Sequence, residues 1–210
     1  MMTICLSDAG KRYNRDWIFR HVQYRFSTGN SYAITGPNGS GKSTLLQALS
    51  GALLLNEGKL EFFTGNPEKA EDPEQLYRHI SICAPYLELI EEMTGKEFLD
   101  FHQGFKPFLP CRTSDDILEE IGLSKAAQKQ IRYYSSGMKQ RVKLAQCIFS
   151  DTGAVFLDEP CTNLDTTGIK LYQDLISRYC NNRLVLVSSN DEVEYGFCQY
   201  TININDYKRH

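Results

Sequence analysis

The sequence predicts an α/β fold, a mainly parallel sheet flanked by helices. Three observations predict it. The runs Ala154–Asp158 and Arg183–Ser188 are almost purely apolar, as strands buried on both faces of a parallel sheet are. Strand-like runs alternate with helix-like ones along the chain, the order of a layered α/β domain. A glycine-rich turn, Gly36 to Gly41, joins a strand-like run directly to a helix-like one.

Residues 3–26 alternate loosely between apolar and polar, which predicts an antiparallel β edge layer. Ser31–Thr35 reads as a strand. The helix pattern from Lys42 to Ser50 buries Leu45, Leu46 and Leu49, and Gly51 ends it. Lys59–Phe63 and His79–Cys83 read as further strands. From about residue 86 to 150 the pattern turns helical, most clearly at Thr113–Ile121 and Gly137–Phe149. This stretch is expected to form a helical subdomain inserted between two strands, with Phe98, Leu99 and Phe101 in its core. Ala154–Asp158, a helix over Gly168–Tyr179, Arg183–Ser188 and Thr201–Ile204 complete the sheet. With no repeat, linker or low-complexity tract, residues 1–210 are expected to form a single domain.

Composition excludes several classes. The formal charge is −3, which gives no electrostatic case for nucleic acid. The seven cysteines are odd in number, and no two form a CxxC pair; that predicts reduced thiols rather than a disulfide frame or zinc site. The four histidines, His21, His79, His102 and His210, are dispersed. The opening residues carry no long apolar core, and the most apolar stretch, Leu45–Leu55, is too short to span a bilayer.

The turn spells GxxxxGK[ST]: Gly36, Pro37, Asn38, Gly39, Ser40, Gly41, Lys42, Ser43, followed by Thr44. Glycines let successive N–H groups curl inward as an anion nest, and the following helix adds its partial positive charge. Lys42 is placed to reach the β- and γ-phosphates, and the Ser43 hydroxyl to ligate Mg²⁺. A nucleoside triphosphate is therefore the expected ligand. Asp158 and Glu159 end an apolar strand, at the sheet edge where open α/β folds bind ligands. Asp158 is expected to hold Mg²⁺, and Glu159 to deprotonate a water aimed at the γ-phosphate. A GTPase would need [NT]KxD, which does not occur after the DxxG-like Asp165–Gly168.

The run Tyr134-Ser135-Ser136-Gly137-Met138-Lys139-Gln140-Arg141 resembles the signature of ATP-binding-cassette (ABC) ATPases, usually LSGGQxQR. The resemblance spans essentially the whole chain in the family's order. Thr162–Asp165 looks like the D-loop, and Tyr13 like the aromatic that stacks on adenine. The resemblance implies that two domains pair head to tail, as a homodimer or with a paired ABC ATPase subunit. Each ATP would lie between one copy's phosphate loop and the Ser135–Gly137 corner of the other. It also implies separate transmembrane permease subunits, no nucleic acid, and a cytoplasmic location, peripheral on the inner membrane face. Segment 91–105 and the helices after it are expected to meet that partner. "SSGM" resembles the ATPases of exporters. Two positions depart from the family: Pro85 stands where a glutamine is usual, and Asn190 where a γ-phosphate-contacting histidine is usual. Proline brings no amide, and asparagine can donate a hydrogen bond but never carry an imidazolium charge. The expectation is the ATP-hydrolysing subunit of an ABC transporter with slowed hydrolysis; the alternatives are a slow or non-hydrolysing ATP-gated dimerisation module, or a soluble ABC ATPase of a non-transport pathway.

Overall fold

The computed structural model describes residues 1–65 and 68–208; His210 lies outside them. Two sheets enclose the core. A four-stranded antiparallel sheet has the order β2-β1-β4-β5, from β1 (Met2–Tyr13), β2 (Asp16–Ser27), β4 (Glu57–Thr64) and β5 (Lys69–Ala70). A five-stranded parallel sheet has the order β6-β7-β8-β3-β9, from β3 (Ser31–Thr35), β6 (Ile80–Cys83), β7 (Ala154–Asp158), β8 (Leu184–Ser188) and β9 (Tyr200–Asn203). The run Lys59–Phe63 belongs to the antiparallel layer, within β4.

The all-apolar strands have a direct cause. Along β7, Ala154 and Phe156 enter one core, with α1 (Lys42–Leu49) and the antiparallel sheet. Val155 and Leu157 enter the other, against the helices that follow. Side chains alternate across a strand, so two cores demand an unbroken apolar run. Between β6 and β7 lie α2 (Gly95–Gln103), α3 (Ser114–Glu120) and α4 (Ser136–Ile148). Thr94 with Glu97 and Thr113 with Asp116 form reciprocal capping boxes at the starts of α2 and α3, satisfying N–H groups the helices leave unpaired. After β7 come α5 (Thr166–Tyr179) and, beyond β8, the short α6 (Glu192–Tyr195).

One expectation on this stretch is corrected. Phe98 and Leu99 are core residues, but Phe101 is 45% exposed and packs edge-on against Phe105. Helix period puts Phe101 across from Leu99. The cysteines are all free. Burial pushes the Cys147 thiol up to about 11 and those of Cys161, Cys180 and Cys198 up to about 12, while Cys111 is exposed.

Candidate nucleotide-binding site

The turn after β3 wraps back on itself before α1. Gly36, Gly39 and Gly41 hold φ of +144°, +73° and +105°, conformations an L side chain rarely adopts. A Cβ on Gly41 would meet Ile18 Cγ2 at 2.3 Å, and one on Gly36 would meet Ile204 Cγ2 at 2.7 Å. Inside the turn, buried Lys42 donates from Nζ to the carbonyls of Gly36 at 2.9 Å and Pro37 at 3.2 Å. Among the described residues no carboxylate pairs with it. Asn38, Gly39, Ser40, Gly41, Lys42, Ser43, Thr44 and Glu159 line one cavity of about 220 Å³, with Ile18 of β2 as an apolar wall.

The end of β7 brings the carboxylates. Asp158 is 2% exposed, and its Oδ1 is buried with no hydrogen-bond partner. An orphaned carboxylate oxygen is a donor that suits a hard cation such as Mg²⁺. Glu159 has φ +45°, and its N–H donates to Ser188 O at 2.9 Å. Ser40 Oγ and Ser188 Oγ are also buried without partners. Beyond β8, Asn190 Nδ2 donates to Asn38 Oδ1 at 3.3 Å, which lays that position against the phosphate loop.

Ser135, Ser136 and Gly137 line a second cavity, of about 480 Å³, whose walls share no residue with the first. Ser135 caps α4, accepting from Met138 N at 3.2 Å. Gly137 lets the D-loop-like segment approach closely: a Cβ there would lie a tight 3.2 Å from Asn163 O. Tyr13 is 47% exposed at the end of β1, with Lys11 Nζ over its ring, and is not among the residues lining the first cavity. Pro85 presents its carbonyl, not a side-chain donor, and Lys143 Nζ donates to it at 3.1 Å. Lys143 thereby ties α4 to the loop after β6.

Ile18 and Glu194 escaped sequence reasoning, and Gln140 was read there only as part of the signature-like run. Ile18 belongs to a strand paired far from the turn, so no local pattern marks it. The resemblance gives Gln140 no separate role and nothing in sequence marks Glu194, so only their burial sets the two apart.

A parallel sheet whose strand-to-helix turn curls around a buried lysine is the phosphate-loop nucleotide-binding class of fold. The family model described as "ABC transporter" matches residues 19–162, and the chain belongs to that family. It is 32% identical over 162 residues to the cytochrome c biogenesis ATP-binding export protein CcmA of Xylella fastidiosa (strain 9a5c), covering 77% of this chain and 71% of that one. It is 28% identical over 203 residues to the uncharacterized ABC transporter ATP-binding protein YybJ of Bacillus subtilis (strain 168), covering 93% and 89%. In fold it is similar to a dimeric ATP-binding cassette bound to ADP and Pi, with TM-score 0.81 and 21% identity over 96% of this chain and 94% of that one. It is likewise similar to a bacterial Atm1-family ABC exporter with ATP bound, with TM-score 0.80 and 15% identity over 96% of this chain and 36% of the exporter.

Proposed function

We propose that this chain is the ATP-binding and ATP-hydrolysing subunit of an ABC transporter, that two copies close on ATP, and that closure drives separate permease subunits. One observation carries this reading: the phosphate loop, a buried lysine without a carboxylate partner, and Glu159 meet in a single cavity. The loop residues 36–44 bind the phosphates through backbone N–H groups, and Lys42 neutralises β- and γ-phosphate charge. Ser43 and Asp158 would hold Mg²⁺, which supplies further charge neutralisation at the phosphates. Glu159 takes a proton from the attacking water, Asn190 donates to the γ-phosphate, and Tyr13 stacks on the base.

The separate cavity at Ser135–Gly137 supports head-to-tail pairing, because one chain brings only half of the expected contacts to one nucleotide. Relatives named as an ATP-binding export protein and as a daunorubicin resistance ATP-binding protein favour export. Among the described residues no helix is long and apolar enough to cross a membrane; relatives named as ABC transporter ATP-binding proteins favour a peripheral place on the inner face, against separate permease subunits. Exposed Phe101 and Phe105 suit a contact with that partner. Nucleotide binding and pairing are tested with Glu159→Gln. Sedimentation with millimolar Mg²⁺ and ATP should show a bound dimer; a monomer without nucleotide would overturn the reading.

A second reading, slow hydrolysis, is favoured by Pro85 and Asn190. Losing one transition-state contact typically costs about 10²–10³-fold in rate. Turnover of Pro85→Gln/Asn190→His should therefore rise at least about tenfold. Equal rates would sink the slow-hydrolysis reading and leave the ATPase itself standing.

A further inference from the structure

Among the described residues, four acidic or basic side chains are buried: Lys42, Asp158, Arg183 and Glu194. The first two face the candidate site. Arg183 is committed to structure, donating to the carbonyls of Ile148, Ser150 and Thr152. Glu194 has no such account. A leucine would pack in its place without the cost of desolvating a carboxylate.

Glu194 and Gln140 converge on one peptide. Gln140 Nε2 donates to Pro160 O at 2.7 Å, and Cys161 N–H donates to Glu194 Oε1 at 2.7 Å. That carbonyl and that N–H belong to the same peptide plane, immediately after Glu159. Both side chains are buried, at 4% and 5% exposure. Pro160 has no N–H, so the Cys161 N–H is the first backbone donor after that of Glu159 itself. Gln140 comes from α4, the helix Ser135 caps; Glu194 comes from α6, four residues after Asn190. Tyr172 of α5 secures α6 by donating its hydroxyl to Glu194 O at 2.7 Å. Just before the gripped peptide Glu159 holds φ +45°, a conformation a non-glycine residue keeps only where its surroundings impose it. Burial raises the Glu194 carboxyl above its ordinary range, and the nearby acids Asp191 and Glu159 push the same way.

We infer that Gln140 and Glu194 are positioning residues that clamp the Pro160–Cys161 peptide from opposite edges. They thereby fix the backbone of Glu159 and join the Ser135-capped helix to the segment carrying Asn190. The inference rests on the proposed role of Glu159 in ATP hydrolysis.

The test compares Glu194→Leu, Glu194→Gln and Gln140→Leu with the native chain, measuring ATP turnover and ATP affinity. The leucine variants should lower kcat by about 10²-fold, the penalty of a misplaced catalytic group, with the dissociation constant for ATP moving less than about twofold. Glu194→Gln keeps an acceptor for the Cys161 N–H and should recover most of kcat. If Glu194→Leu does not fold, Gln140→Leu and hydrogen exchange in Glu194→Gln carry the test. Exchange of residues 159–165 should speed up in Gln140→Leu and stay near native in Glu194→Gln, with residues 36–44 unaffected in both. Native turnover in Gln140→Leu, or parallel losses of kcat and ATP affinity, would overturn the inference while leaving the ATPase reading intact. A native chain that turns over no ATP would overturn that reading and the inference with it.

Discussion

Two glycines of the phosphate loop separate backbone strain from steric fit. Gly39 has positive φ but open space around it, whereas Gly41 has positive φ and Ile18 against it. Gly39→Ala should cost only the left-handed penalty, about 1–2 kcal/mol of stability. Gly41→Ala must also displace Ile18, and should lower ATP affinity at least about tenfold more than Gly39→Ala; titration with a fluorescent ATP analogue reads the difference. The site was legible in sequence wherever its residues are contiguous, because the loop's spacing is its geometry. It was not legible where the wall comes from elsewhere. Ile18 reaches the turn through the pairing of β2, and the clamp on Pro160–Cys161 through the packing of α4 and α6. Tyr13 is exposed and outside the wall of that cavity, so its proposed stacking on the base rests on its place in the sequence.

The helices between β6 and β7 are tied down by polar groups as well as by their apolar stripe. His102, near the end of α2, meets Ser150 Oγ at 2.9 Å through Nε2. Burial, then Lys106, depresses its imidazole below the ordinary 6.5. Just below that pH the unfolded chain binds a proton that the folded chain refuses, so stability is retained above 6.5 and lost as pH falls through and below it. Chemical denaturation should give a lower midpoint at about pH 5.5 than at about pH 7.5, and His102→Gln should shrink the gap. Removing the α2 cap by Thr94→Ala should cost about 1 kcal/mol at either pH, read as a lower melting temperature. The helices over residues 113–121 and 137–149 were legible from their patterns, whereas α2 and both capping boxes are known only from the fold. What α4 does with its lysines was not legible. Lys139 reaches Glu91 and Lys143 reaches Pro85 O, contacts made with a loop some fifty residues earlier.

At the scale of the molecule, periodicity revealed the strands but not their neighbours. β3 lies between β8 and β9, an order no single sequence states, because crossover helices let distant strands meet. The spacing of the two cavities carries a prediction of its own. If each nucleotide lies between the phosphate loop of one copy and the Ser135–Gly137 corner of another, Lys42→Ala and Gly137→Asp chains are each inactive alone. Mixed together, they should form one intact site per heterodimer and regain turnover, up to about half the native rate per dimer; no recovery would place both halves of the site in one chain. The cysteine distribution also makes the protein easy to watch. With the thiols of Cys147, Cys161, Cys180 and Cys198 held far from ionisation, a maleimide dye near neutral pH reacts first at Cys111, in the segment between α2 and α3. The unaltered chain thus offers its own attachment point for an optical reporter on its helical side.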